Sequence, residues 1–443
     1  MIYIIESINL ILGDIKMRKK RRNKLGIIDA DLLDNGTRHP NLACMKISAY
    51  YKSLGWEVTL LENYDNLDKY DLVTISKVFN FTNVPNVIYK RGICKDPTHP
   101  ELSLKKNIKI GGTGFYFDKA PDLDYCIEHI MPDYHLYEKY IYKLINKFVD
   151  SYKIELETKI EKGKYELKEN ETINSLCLER KKHYEKKYCD YLEFSIGFAT
   201  RGCFRKCEFC VNKKYDRVHK HSPISEFVDP ERPKIYLWDD NIMASPDFNQ
   251  IIDELSATGK PFQFRQGLDM RLMTHAKAEK LAHVRYYGDY IFAFDHIEDK
   301  ELIEKKLLIW REHCKKSTKL YVLTGYDSQD ETDIRNTFER IKILMRHGCL
   351  PYIMRYEEYQ NSRFRNLYIQ IARWCNQPSF FKKKSFRQYC EANEVYHRTH
   401  TSNPIGNCSC YQAMLDFEEE FPEIAEEYFN LRFDELNPYA DIK

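Results

Sequence analysis

The chain has 443 residues, of which 43% are hydrophobic and 31% charged, and its 69 Lys and Arg against 67 Asp and Glu leave a net charge of +2. That length suits two or three domains around a large core, and the composition excludes a disordered, fibrous or membrane-spanning chain. The even charge balance excludes a bulk electrostatic drive toward nucleic acid, and 14 cysteines with no secretory signal favour a reducing cytoplasm over a disulfide framework.

The first stretch, residues 2–15, is apolar in places, but Glu6 and Asp14 interrupt it and it is too short to span a bilayer. Its charges follow the apolar part, the reverse of a signal peptide. Residues 16–24 are a basic run, so residues 1–24 are expected to form a flexible basic tail, with Met17 an alternative start.

Residues 25–30 read as a short buried strand ending in an acid. Residues 40–54 have helical spacing, and Gly55 stops them. Strands follow at 57–61, 70–76 and 108–110, the last running into a turn with Gly111, Gly112 and Gly114. This alternation predicts an α/β fold: a Rossmann-like, doubly wound parallel sheet over residues 25–118. The glycine turn is not G-x-G-x-x-G, so it is a weak signal for a phosphate cradle. Residues 119–191 are expected to form a charged helical connector. Within them, 139–187 are dense in Lys, Glu and Tyr, with Gly163 as the one glycine and no proline. Lys181, Lys182, Lys186 and Lys187 read as a solvated helix face, with contact to a polyanion as the alternative.

From Leu192 the chain alternates regularly. Strands are expected at 192–199, 234–238, 262–268, 290–294, 320–324 and 350–355. Helices are expected at 246–257, 274–284, 300–313, 331–347 and 363–375. In βα repeats of this kind the working groups sit at the C-terminal ends of the strands. The first strand delivers Thr200-Arg201-Gly202-Cys203-Phe204-Arg205-Lys206-Cys207-Glu208-Phe209-Cys210. Three thiolates at C-x3-C-x2-C spacing suit a soft metal or an iron–sulfur cluster. A zinc knot would need a fourth ligand, for which His219 and His221 are candidates.

The triplet, with an aromatic residue before its last cysteine, resembles the signature of the radical SAM superfamily. The resemblance is strongest over residues 193–356. It implies a partial (β/α)6 barrel over residues 192–376, with Cys203, Cys207 and Cys210 ligating a [4Fe–4S] cluster. It also implies S-adenosylmethionine at the open iron and an electron from a reductant such as flavodoxin or ferredoxin. The family cleaves S-adenosylmethionine reductively, and the 5′-deoxyadenosyl radical takes hydrogen from a substrate, here unidentified. Arg201 and Lys206 would tune the cluster potential.

Further residues follow from the same resemblance. Phe209 precedes the last cysteine. Asp239, Asp240 and Asn241 occupy the place of the motif that binds the methionyl amino group, and an Asp/Asn helix cap is the alternative. Gln266, Asp269 and Arg271 end the third strand. Arg271 would pair with the cofactor carboxylate, or else form a salt bridge with Asp269 or another acid. Asp295 would accept from the ribose hydroxyls, and His296 is the weaker candidate. Gly325 would let backbone approach the adenine, and Met354, Arg355 and Tyr356 would stack on it or close the cavity.

The N-terminal region is similar to the cobalamin-binding-like domain that precedes many such barrels. The D-x-H-x-x-G motif is absent, and Asn35-Gly36-Thr37-Arg38-His39-Pro40 stands in its place. Cobalamin is therefore not expected, and His39 reads as a loop or capping residue.

Residues 377–443 are expected to form a small, mostly helical cap. Cys390, His397, His400, Cys408 and Cys410 leave a second cluster, a zinc site or ordinary cysteines open. Phe380 to Arg387 mixes aromatic and basic residues, read as one helix face or as a nucleic-acid stacking patch. Two rivals stay open: a metal-stabilised nucleic-acid-binding module, and a radical SAM enzyme that modifies RNA or DNA.

Overall fold

A computed structural model describes residues 22–401 and 406–439. Most of the expected basic tail, Met17 included, lies outside the described residues. The chain divides into two compact units, one ending at Phe194 and the other beginning at Ser195.

In the first unit four strands, β1 (Lys24–Asp29), β2 (Glu57–Leu60), β3 (Leu72–Ser76) and β4 (Ile108–Gly111), form a sheet of order β2-β1-β3-β4. All three pairings are parallel. Leu25, Ile27 and Ile28 are fully buried, as a central parallel strand covered on both faces requires. Asp29 ends β1 and caps α1 (Ala30–Asn35) by accepting from Leu32 N at 3.2 Å; it also accepts from Tyr137 Oη at 2.8 Å. Helix α2 (Leu42–Ser53) makes the crossover to β2, capped by the Asn41 side chain.

The sheet is parallel as expected, but helices do not wind both of its faces. After β2 the chain crosses through single turns of 3-10 helix at Leu67–Lys69, Asn86–Ile88, Lys90–Gly92 and Pro100–Ser103. Pro85, Gly92, Pro97 and Pro100 break helical continuity between β3 and β4. The glycine turn is spent on packing. Gly112 has φ +101°, and a Cβ there would lie 2.3 Å from Lys77 O, while Gly114 N donates to that carbonyl at 2.9 Å. Its backbone faces the β3 loop rather than an open phosphate cradle.

The connector is a helical hairpin of α3 (Glu138–Glu161) and α4 (Ile173–Lys187). Thr172 and Ser175 form a capping box at the start of α4. Phe148 stacks on Tyr184 at 4.8 Å, and Arg180 lies over the Tyr152 ring at 4.2 Å.

The second unit carries strands in chain order. The first group is β5 (Phe194–Gly197), β8 (Lys234–Leu237) and β9 (Phe262–Phe264). The second is β10 (Tyr290–Ala293), β11 (Thr318–Thr324) and β12 (Leu350–Arg355). A parallel bridge between Leu268 and Phe292 connects the two groups. A two-residue hairpin, β6 (Thr200–Arg201) with β7 (His219–Lys220), stands apart from them. The helices between strands are α5 (Phe248–Ala257), α6 (His275–Ala282), α7 (Lys300–His313), α8 (Glu331–Arg346) and α9 (Arg365–Cys375).

Helices α10 (Phe386–His400), α11 (Ser409–Glu420) and α12 (Pro422–Tyr428) complete the unit. Their apolar faces belong to the same core as the strands. Phe338 of α8 packs on Phe386 at 5.5 Å and Phe429 at 5.2 Å. Phe381 and Phe386 are fully buried, which removes two rings from the proposed stacking patch. Among the described residues no helix is long and apolar enough to cross a membrane.

Candidate functional site

The cysteine loop is built between two fixed ends. Thr200 pairs with Lys220 and Arg201 with His219, so residues 202–218 leave and re-enter at one short ladder. Gly202 makes the first turn at φ +92°. A Cβ there would lie 2.4 Å from Arg217 O, so only glycine fits. Within the loop Cys210 N donates to Cys207 O at 3.0 Å, a tight turn between the last two cysteines.

The residues after β8 hold this loop. Asp239 Oδ1 accepts from Thr200 N at 2.5 Å and Thr200 Oγ1 at 2.6 Å, and its Oδ2 accepts from Ala199 N at 3.3 Å. Burial pushes the Asp239 carboxyl up to about 6. Asp240 accepts from Gly202 N at 2.6 Å and from Asn212 Nδ2 at 2.8 Å. Asn241 Nδ2 donates to Cys203 Sγ at 3.3 Å. Neither aspartate caps the following helix: both brace the thiol loop from about forty residues away in sequence. Asn241 Oδ1 is buried with no hydrogen-bond partner.

Cys203, Cys207 and Cys210 are each partly buried and unbridged. Burial raises the Cys207 and Cys210 thiols above their usual range. A thiol raised in this way keeps its proton unless a cation takes the sulfur. Backbone N–H groups of Arg205 and Asn212 point at Cys203 Sγ and Cys210 Sγ, both at 3.4 Å. Such donors tune a thiolate-held metal.

The donor set is three thiols with no fourth protein ligand established. Zinc bonds of about 2.3 Å to thiolate keep sulfurs within roughly 4 Å of each other. Among the described residues, two triads bring three ligand atoms within 4.8 Å of one another: His275, Glu312 and His313, and His296, Glu298 and Asp327. Neither includes a cysteine. His219, a candidate fourth ligand, packs its ring on Tyr215 at 4.6 Å, and His221 Nδ1 contacts Ser222 Oγ at 3.0 Å. Three unbridged thiols on one loop and an orphaned acceptor at Asn241 suit a [4Fe–4S] cluster with an added ligand.

The far side of the loop meets other strand ends. The Phe209 ring lies 5.9 Å from His296 and 5.3 Å from Tyr326, and Tyr326 Oη donates to Glu208 Oε2 at 3.2 Å. Tyr356 meets Tyr326 edge-on at 4.8 Å. Asp295, at the end of β10, has its carboxyl raised by burial, and Arg340 donates to its backbone carbonyl. Gly325 N donates to Asp333 Oδ2 at 2.8 Å. Gln266 and Met354 are exposed at the ends of β9 and β12.

Arg271 is not a free cation. Its guanidinium donates to Asp269 Oδ1 at 2.8 Å and to Asp299 Oδ2 at 2.9 Å. This is the salt-bridge alternative for Arg271, and Asp269 also receives Arg205 of the cysteine loop at 2.5 Å. Lys206, expected to tune the cluster, reaches Lys213 O, Tyr215 O and Asp216 and so ties the loop to itself. Arg201 stacks on Phe198 at 4.0 Å. Sequence reading missed Arg205, Asp333 and Arg340. Arg340 and Asp333 lie on a helix whose pattern shows only amphipathicity, so no local signal marked them.

Elsewhere, a ring nitrogen of His39 meets the Asp190 carboxylate, within the first unit. In the C-terminal group Cys410 Sγ lies 3.3 Å from Cys390 Sγ, Cys408 caps α11, and His397 Nε2 is buried without a partner.

No protein-family model and no curated protein matches the chain. Solved structures do match at low identity. The radical S-adenosylmethionine methyltransferase TsrM from Kitasatospora setae, with cobalamin and a [4Fe–4S] cluster bound, is 12% identical over 75% of each chain, at a TM-score of 0.44. The same enzyme with tryptophan and a SAM analogue is 13% identical over 75% of this chain and 72% of that one, at 0.43. Streptococcus suis SuiB bound to S-adenosylmethionine is 13% identical over 59% of this chain and 64% of that one, at 0.29. At these TM-scores the likeness decides neither fold nor function.

Proposed function

We propose that the chain is a radical SAM enzyme acting on an unidentified substrate. One observation carries the reading. The three-thiol loop is closed by its own ladder, braced by Asp239, Asp240 and Asn241, and packed through Phe209 and Glu208 against the ends of β10 and β11.

Cys203, Cys207 and Cys210 would hold a [4Fe–4S] cluster. When bound, the cluster and S-adenosylmethionine supply one-electron cleavage of the sulfonium and a carbon radical for hydrogen abstraction. The rest is positioning and exclusion of water. Asn241 Oδ1, buried without a partner beside Cys203, is an acceptor for the methionyl ammonium. Asp295, at the end of β10, would accept from vicinal ribose hydroxyls. Phe209, Tyr326 and Tyr356 form an aromatic wall that keeps water from the radical. A flavodoxin or ferredoxin would supply the electron.

The test is anaerobic reconstitution with iron and sulfide, followed by dithionite and S-adenosylmethionine. About four irons per chain and slow formation of 5′-deoxyadenosine are expected, and both should be lost in Cys207→Ala. Tightly held zinc at these thiols, with no deoxyadenosine under any reducing condition, would overturn the reading.

A further inference from the structure

A second group of ligand-type side chains lies apart from the cysteine loop. His275 opens α6, and Glu312 and His313 close α7. His275 Nδ1 is 3.2 Å from His313 Nε2 and 3.4 Å from Glu312 Oε2. All three ligand atoms fall within 4.8 Å of one another.

These separations have a chemical meaning. Two donors bonded to one ion at about 2.1 Å, at neighbouring positions, sit roughly 3.0 to 3.4 Å apart. Both spans from His275 already match. Hydrogen bonding accounts for the group less well, because His275 Nδ1 faces both His313 Nε2 and Glu312 Oε2 and either carries one proton or accepts one, not both. An ion accepting a lone pair from each of the three atoms satisfies all of them together. Two imidazoles and one carboxylate select zinc, cobalt, nickel or copper rather than magnesium or calcium. The other triad, His296 with Glu298 and Asp327, has one imidazole and two carboxylates, a harder set at the mouth of the site described above.

We infer that His275, Glu312 and His313 form a surface site for a divalent transition metal of the zinc type, open to water at its remaining positions. The His275 and Glu312 side chains are 63% and 61% exposed, so the ion enters without rearrangement of the core. The site has a structural consequence. The segment before α6 is joined to the residue preceding α7 by Arg271 and Asp299 at 2.9 Å, and to the middle of α7 by Lys306 Nζ on Met273 O at 2.7 Å. The metal adds a third tie at the far end of α7. That segment carries Asp269, the anchor for Arg205 of the cysteine loop. The ion thus stiffens one wall of the loop without touching it. The inference does not rest on the proposed reaction.

The test uses the full chain with Cys203, Cys207 and Cys210 all replaced by serine and metals stripped with a chelator. Cobalt(II) is titrated by visible absorption and zinc by calorimetry. One tight equivalent is expected. His275→Ala and His313→Ala should each weaken it at least about tenfold, Glu312→Gln should weaken it less, and His296→Ala should leave it unchanged. Excess zinc should raise the melting temperature of the parent and not of His275→Ala. Far-UV circular dichroism checks that these exposed substitutions leave the fold intact. Equal binding by the parent and His275→Ala, or loss of the site in His296→Ala, would overturn the inference.

Discussion

Gly202 decides whether the thiol loop can close. Its positive φ and the 2.4 Å approach to Arg217 O leave no room for a methyl group. Gly202→Ala is expected to keep the fold by circular dichroism and to retain less than half the iron of the parent after reconstitution. Asp29 gives a pH signature of a different kind. Burial raises its carboxyl from 3.8 to about 6. Between those values the folded chain holds a proton that the unfolded chain releases, so this group's stabilisation is full below pH 4 and is lost as pH rises through 6. Asp29→Asn cannot ionise and escapes that loss. Its stability relative to the parent should grow by up to about 3 kcal/mol between pH 4 and pH 8, read by urea unfolding at each pH; a constant difference would exclude burial as the cause. The sequence singles out the three cysteines and hides the partners of their loop. The three cysteines are legible from spacing alone. That Asp239 serves Thr200 is not, because the two meet across strands 39 residues apart.

Elements whose hydrophobic period is long were legible to the residue. Lys300–His313 and Leu350–Arg355 fall where the pattern places them. The crossovers after β2 were not, since prolines and glycines prevent helix there while the strands they join still read as buried β. The link between β11 and its flanking helices was hidden too. Asp333 of α8 accepts from Gly325 N at 2.8 Å, Thr324 Oγ1 at 2.9 Å and Tyr368 Oη at 2.9 Å. One carboxylate thus sets the end of β11 against α8 and α9. Asp333→Ala takes the acceptor from Gly325 N and Tyr368 Oη and leaves Thr324 Oγ1 with Thr337 Oγ1 alone, and is expected to cost about 2–4 kcal/mol, measured by chemical unfolding. Asp333→Asn should recover part of that loss.

At the scale of the whole molecule, the C-terminal helices are part of the second unit's core and not a separate cap. Phe338, 1% exposed, lies among Phe386, Tyr428 and Phe429 at 5.5, 6.0 and 5.2 Å. Phe338→Ala is expected to cost about 3–5 kcal/mol and to lower one transition shared by strands and C-terminal helices in calorimetry. Two separable transitions would show that the helices fold alone. Sequence reading set residues 377–443 apart as a cap, because the apolar spacing of a helix does not record which core its face joins.

The ladder between Thr200–Arg201 and His219–Lys220 has a consequence for the order of maturation. The thiol loop leaves and re-enters the unit through one doorway of two residue pairs, and the large core contains none of its three cysteines. Folding of the strands and helices can therefore finish before any metal arrives. Loading of the proposed cluster would then be a late step performed on a folded chain. Opening that doorway is a local event, reversible without unfolding the core.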